Sequence, residues 1–337
     1  MSLKQHTQIM LPEIERELQK QAARLDEPHT KLFHEMVTYH MGWTGEGAGT
    51  EATGKRIRPL MVLLAAASCG ADWKTALPAA AAVELVHNFS LVHDDVQDNS
   101  DKRRGRPTVW KKWGIPMAIN VGDGIFVMAN QAVMDLINAH PASTVVQAAT
   151  ILHNICLDLT RGQFMDMSYE ERTDLTMAEY WPMIGGKTSA LLSSCTHIGA
   201  LLGGANAEGQ ENYRQFGYHL GLAFQVQDDI LGIWGDEAVT GKSAASDLVE
   251  GKNSLPVLYA LEKNGAFAKR WKQGPIKADE VKEIAAQLEN EGAREYATEM
   301  SHKETEKALA YLKSANSQGA AGEALLEMAN KLLKREQ

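Results

Sequence analysis

Apolar residues recur three or four positions apart over most of this chain, the spacing that one buried face of an α-helix requires. Between Ile9 and Leu32 they fall at Ile9, Leu11, Ile14, Leu18, Ala22 and Leu25. The same period marks Ala76–Val96, Ala118–Ile137, Val145–Met167, Met177–Leu202, Tyr213–Trp234, Ala278–Leu288 and Gly322–Leu333. Alternation with period two is scarce, and the hairpin-type pairs Asp123-Gly124 and Asn264-Gly265 lack alternating flanks. The pattern predicts an all-α fold.

Breakers separate the predicted helices. Gly42–Gly54 holds five glycines and reads as a loop, the first candidate for a mobile segment. Asn99–Gly114 and Gly235–Asn253 are charged, glycine-bearing loops. Pro182 and Gly185-Gly186 are expected to interrupt Met177–Leu202. No Ser/Gly/Pro-rich linker and no fixed-period repeat divides the chain, so residues 1–337 are expected to form a single helical domain. The Ala- and Met-rich face of Met117–Met134 suits either plain core or a dimer seam.

Composition narrows the class. The 337 residues carry 34 Lys plus Arg against 43 Asp plus Glu, a formal charge of −9. That balance disfavours nucleic acid and anionic membranes as partners. Cys69, Cys156 and Cys195 are odd in number and far apart, which excludes a disulfide framework and fits a reducing cytosol. The polar N-terminus lacks the apolar stretch of a secretory signal. The longest apolar run, Leu60–Ala67, is far shorter than the ~18–20 residues of a membrane span. A cytoplasmic protein without a membrane span is expected.

The densest chemistry lies in Glu84–Trp110, ELVHNFSLVHDDVQDNSDKRRGRPTVW. On a helix Asp94 and Asp98 stand ~40° apart in azimuth and one turn apart along the axis. With Asp95 beside them they repel one another and oppose the macrodipole. A hard divalent cation shared with phosphates would compensate, and a solvated acidic helix end is the plainer reading. A second pair, Asp228 and Asp229, sits late in another apolar helix with Leu222, Phe224, Val226, Ile230 and Leu231. Buried carboxylates need a proton, a partner or a metal. Together the two clusters suggest the walls of one metal–phosphate pocket.

Basic residues follow each cluster: Arg103 and Arg104 after the first, Lys242 and Lys252 after the second. GKRIRP adds Lys55 and Arg58 at a helix start, where guanidinium forks and backbone amides suit phosphate. His87 is either a core histidine or a phosphate donor. Lys187-Thr188 interrupts an apolar segment, so the lysine needs an anion nearby, and Gln225 needs hydrogen-bond partners. Phe89, Ile125 and Met128 are ordinary core or the floor of an apolar cavity beneath a polyanion-binding mouth.

These residues resemble the trans-type isoprenyl diphosphate synthases, the polyprenyl synthetase family. The likeness runs from Gly54 to Pro256 through GKRIRP, LVHDDVQD, RRGRPT, GQFMD, GGKTS, FQVQDD and GKNSLP, in family order and spacing. It implies a bundle of long helices around a central cavity, homodimeric, using three Mg²⁺ ions, isopentenyl diphosphate and an allylic diphosphate. By position, Asp94 and Asp98 would hold two ions with Asp95 in support. Asp228 would hold the third ion, with Asp229 acting through water. Arg103, Lys187, Gln225, Lys242 and Lys252 would surround the allylic substrate, and Lys55, Arg58, His87 and Arg104 would bind isopentenyl diphosphate. Thr188 and Gln225 would stabilise the allylic cation. Lid closure is expected at Gly42–Gly54 or Gly235–Asn253.

One departure stands out. The family's second motif is commonly DDxxD, whereas Gly232 takes the last place here and Asp236 lies further on. That brings the segment nearer the class I terpene cyclases. Cyclases need no isopentenyl diphosphate site, so the four residues assigned to it favour a synthase. A non-catalytic partner subunit is a third reading. Phe89 lies five residues before Asp94, ~7.5 Å below the metal end on a helix, with Ser90 beside it. One aromatic at that place resembles geranylgeranyl-type enzymes and points to C20 over C15.

Overall fold

The computed structural model describes residues 1–170, 172, 174–235 and 246–333. The described residues contain thirteen helices of eight residues or more: α1 (Leu3–Ala22), α2 (Lys31–His40), α3 (Ile57–Ser68), α4 (Leu77–Gln97), α5 (Ile115–Met134), α6 (Ala142–Tyr169), α7 (Met177–Ile184), α8 (Ala190–Leu202), α9 (Ala207–Trp234), α10 (Leu255–Lys263), α11 (Val281–Asn290), α12 (Ala293–Ser314) and α13 (Gly319–Leu333). The expected all-α fold is observed. α7 and α8 are joined by a π-helical turn at Gly185–Ser189, where the sequence predicted an interruption.

The first segment departs from its pattern. α1 begins at Leu3 because Ser2 and Gln5 form a capping box, and it ends well before Pro28. Its buried positions are Leu3, His6, Met10, Ile14, Leu18, Gln21 and Ala22, while Ile9 is exposed. Ile14, Leu18 and Ala22 are buried as the spacing predicts, and packing adds Met10 to that face in place of Ile9.

The chain groups into two compact units. Unit 1 comprises Met1–Asn154, Ser194–Glu211 and Asn316–Leu325; unit 2 comprises Ile155–Ser193, Asn212–Ala315 and Leu326–Gln337. Unit 1 centres on α4, packed along α5 and α3. Leu60–Ala66 of α3 and Ala79–Val83 of α4 are buried, and the run of small alanines permits close helix approach. In unit 2, Tyr180, Val226, Leu255, Leu258 and Ala297 form one core cluster, and Leu248, Val257, Phe267, Ile284 and Leu288 another. Each large side chain so buried contributes about 1.5–3 kcal/mol.

A helix spanning Trp73–Gln97, 25 residues with its leading turn, has the length and apolar composition to cross a membrane. The search for one continuous apolar run did not anticipate it, because its polar residues are dispersed. It lies 61% buried within the protein over its most apolar window, as a core helix does.

The predicted loop at Asn99–Gly114 contains a two-residue hairpin pairing Lys102–Arg103 with Arg106–Pro107. Arg104 and Gly105 between them have φ of 51° and 76°, both positive as a two-residue hairpin turn requires. The Gly42–Gly54 segment is pinned. Arg106 donates to the carbonyls of Tyr39, Thr44 and Glu46 at 2.6–2.9 Å, and its guanidinium lies over the Tyr39 ring at 4.0 Å.

Candidate active site

Unit 1 gathers one set of the predicted residues. Arg56, in the middle of GKRIRP, takes a left-handed backbone conformation with φ of 46°. Its buried guanidinium donates to Glu84 on α4 at 2.8 Å and to Glu15 on α1 at 2.7 Å. That clamp fixes the turn carrying exposed Lys55 and half-buried Arg58. Arg58 Nη1 lies 3.2 Å from His87 Nε2, and its Nε is buried without a partner. Burial first, then Arg58, Arg104 and Arg103, hold the His87 pKa well below its ordinary 6.5, so its ring is neutral and Nε2 accepts from Arg58.

Arg104 projects from the hairpin turn and donates to the Ala52 carbonyl at 2.7 Å. A Cβ at Gly54 would stand 2.7 Å from the Arg104 guanidinium, which explains the glycine before Lys55. Arg103 directs Nε and Nη2 to Asp95 Oδ1, each at 2.8 Å. Asp95 is 1% exposed with Oδ2 unpaired, and burial raises its pKa against the pull of Arg103. His40, whose Nε2 is likewise buried without a partner, is driven down to about 3 by burial and by Arg103, Arg104 and Arg56.

Asp94 lies in the last turn of α4 and Asp98 is its C-cap, whose N–H donates to the Asp94 carbonyl at 2.8 Å. Asp94 is half-buried and Asp98 exposed, so both reach solvent while Asp95 turns inward. Phe89, five residues before Asp94, packs its ring 4.9 Å from Phe126 on α5 and 5.8 Å from His93. Ser90 is turned to the His87 carbonyl, and Ile125 and Met128 are core.

Unit 2 gathers the other set. Lys187, in the π-helical turn, pairs with Asp166 of GQFMD, which answers the anion that a lysine there requires. Thr188 Oγ1 donates to Gln225 Oε1 at 2.7 Å, and Gln225 Nε2 donates to Asp229 Oδ1 at 3.0 Å. Asp229 Oδ2 also accepts from the Tyr180 hydroxyl at 2.7 Å and from the Leu255 N–H at 2.9 Å. Burial pushes the Asp229 pKa up to about 6 against these donors. Asp228, on the next position of α9, is half-buried.

Gly232 has a steric explanation. A Cβ there would fall on the Asp247 carboxylate, which is 6% exposed and overlies the helix one turn beyond Asp228. A carboxylate from another segment thus occupies the neighbourhood where a side chain at 232 would project. Lys252 lies 3.3 Å from Asp247 and 2.7 Å from Glu250. Burial opposes its charge, but the two carboxylates outweigh it and raise its pKa. Lys242 and Asp236 lie outside the described residues.

Among the described residues no group of three or more His, Cys, Asp or Glu side chains is arranged to hold a metal ion unaided. Mg²⁺ commonly binds through one or two carboxylates, keeping waters and taking substrate phosphate oxygens. Asp94 and Asp98 in unit 1, and Asp228 in unit 2, each reach solvent as such sparse donors do. Asp95 turns inward, with Arg103 on one oxygen and the other buried without a partner, and Asp229 is enclosed by protein donors.

Sequence reasoning missed Arg56, Glu84, Tyr180, Asp247 and Arg106. A Glu in an apolar helix and an Asp after the second motif were visible signals, but their partners lie 15 to 28 residues away in the chain. Tyr180 gave no signal beyond an aromatic on an apolar face.

The comparisons with known proteins define the class, a prenyltransferase. The Polyprenyl synthetase family model matches residues 48–288, and the chain belongs to that family, whose members use divalent metal ions. It is 40% identical over 291 residues to the (2E,6E)-farnesyl diphosphate synthase of Mycobacterium tuberculosis, covering 83% of this chain and 79% of that one. It is 44% identical over 235 residues to the geranylgeranyl diphosphate synthase of the same species, covering 69% and 66%. Among solved structures, geranylgeranyl pyrophosphate synthetase from Pyrococcus horikoshii aligns with TM-score 0.88 at 29% identity, over 99% of this chain and 98% of that one.

Proposed function

We propose that this chain condenses isopentenyl diphosphate head-to-tail with an allylic diphosphate to give a short-chain all-trans prenyl diphosphate, C20 ahead of C15. The observation that carries the reading is Arg58, whose buried Nε has no protein partner beside a neutral His87. A buried cation with an unused donor suits an anionic substrate. With Lys55 and Arg104 it forms the set assigned to isopentenyl diphosphate, which a cyclase does not require.

Asp94, Asp98 and Asp228 would hold Mg²⁺, three ions in the family pattern, with Asp95 and Asp229 in support. When bound, the ions supply positive charge that favours departure of the allylic diphosphate. Arg103, Lys187, Lys242 and Lys252 bind that diphosphate; Arg103 is oriented by Asp95 and Lys187 by Asp166. Thr188 and Gln225 present fixed dipoles to the allylic cation. Isopentenyl diphosphate, held by Lys55, Arg58, His87 and Arg104, attacks through its double bond, and the released diphosphate takes the proton. Phe89, backed by Phe126, limits the growing chain, with Ser90 leaving room beside it.

Residues 1–337 act as one catalytic domain, a reading supported by the way each unit draws on segments from both halves of the sequence. The chain works as a cytoplasmic homodimer. Exposed Val127 and Met134 on α5, and Val146, Leu157 and Phe164 at heptad-compatible spacing on α6, support that contact.

Purified protein with Mg²⁺, isopentenyl diphosphate and dimethylallyl, geranyl or farnesyl diphosphate is expected to yield a diphosphate ladder ending at C20, read by mass spectrometry before and after phosphatase. Hydrocarbons formed without consumption of isopentenyl diphosphate would identify a cyclase, and no turnover would leave a partner subunit. Asp94→Ala is expected to lower kcat by about 10³-fold.

A further inference from the structure

Tyr180 lies on α7, outside every motif that the site assignment used. It is 1% exposed, and its hydroxyl donates to Asp229 Oδ2 at 2.7 Å. The other Asp229 oxygen accepts Gln225 Nε2 at 3.0 Å. An amide has one donor end and one acceptor end, so a carboxylate against its NH₂ group fixes which way it faces. Gln225 Oε1 therefore meets Thr188, whose hydroxyl donates to it at 2.7 Å. That donation fixes the direction of both Thr188 lone pairs. From Tyr180 through Asp229 and Gln225 to Thr188, each hydrogen bond has one permitted donor and one permitted acceptor.

We propose that Tyr180 is a positioning residue for prenyl transfer, holding Asp229 so that the Gln225 amide and Thr188 hydroxyl keep one orientation toward the substrate. The inference rests on the prenyltransferase reading. Without the phenol hydroxyl, Asp229 Oδ2 keeps only the Leu255 N–H, at 2.9 Å, and the carboxylate can turn away from Gln225. The Tyr180 ring also packs edge-on against Trp181 at 5.3 Å, so Phe preserves the core while removing the one donor.

The experiment is a steady-state cycle on the full chain at saturating Mg²⁺ with Tyr180→Phe, Gln225→Leu, Asp229→Asn and the two doubles that contain Tyr180→Phe. Tyr180→Phe is expected to lower kcat by ~10–100-fold with KM for both diphosphates changed less than about twofold. In either the Gln225→Leu or the Asp229→Asn background it should remove almost nothing more, because its route to the substrate is already cut. Unchanged turnover in Tyr180→Phe overturns the proposal, as does a loss carried by KM or one that multiplies in both doubles. A wild-type chain that forms no prenyl product sinks the functional reading itself. An active wild type beside an unaffected Tyr180→Phe sinks the Tyr180 role alone.

Discussion

The two units solve the same problem, a carboxylate buried beside the candidate site residues, in opposite ways. In unit 1, Glu84 and Asp95 are answered by guanidinium groups, Arg56 and Arg103. In unit 2, Asp229 is answered by a phenol, an amide and a backbone N–H, all neutral. Unit 1 concentrates Arg56, Arg58, Arg103 and Arg104 near two neutral histidines, and such a cluster needs built-in counter-charge. Unit 2 pairs Lys187 with Asp166 and Lys252 with the buried Asp247 through lysines about one-third to one-half exposed, and holds Asp229 by oriented dipoles. Charge balance organises one half of the machinery, and direction organises the other.

Removing one carboxylate charge from each unit tests that contrast. Glu84→Gln leaves the Arg56 guanidinium short of a buried partner and is expected to cost about 3–5 kcal/mol of stability in denaturant melts. Asp229→Asn, whose partners are neutral, is expected to cost about 1–3 kcal/mol and to be felt mainly in kcat. Equal destabilisation by the two would erase the distinction.

Gly232→Asp forces a side chain onto Asp247 and should lower stability by about 1–3 kcal/mol through overpacking, with like-charge repulsion added. Adding Asp247→Gly to that variant should recover most of the loss. A stable Gly232→Asp single variant would show that the two positions do not compete for one space.

The smallest effect concerns protons. His40 at about 3 and His87, also depressed, lie below their unfolded value of 6.5, so the unfolded chain binds protons that the native chain refuses. Their contribution is complete above pH 6.5 and is lost as pH falls from there toward 3. Urea melts at pH 7.5 and 5.5 should show the lower stability at pH 5.5, and His40→Gln should flatten the difference. An unaltered slope would mean that His40 is not held neutral.

Much of the fold was legible because helix period is a local property. α4, α6 and α9 appear within a few residues of where the apolar spacing puts them. α1 buries Ile14, Leu18 and Ala22 as the apolar spacing predicts, and only packing decided that Met10 rather than Ile9 joins them. The site was legible where chemistry is written as spacing, as in Asp94 with Asp98. It was illegible where two distant segments meet, as in Arg56 with Glu84.

The sequence alone determined an all-α prenyl synthase with two acidic motifs, each followed by cations, since periodicity and ordered motifs survive without coordinates. Only the tertiary structure decided which carboxylates face inward. Asp95 and Asp229 look equivalent to their neighbours as letters, yet folding turns each inward, Asp95 onto Arg103 and Asp229 onto Tyr180, Gln225 and the Leu255 N–H. The same holds at Gly232, a missing aspartate in the sequence and the seat of the Asp247 carboxylate in the fold. Hydrogen-bond partners and excluded volume depend on three-dimensional proximity, which residue order does not record.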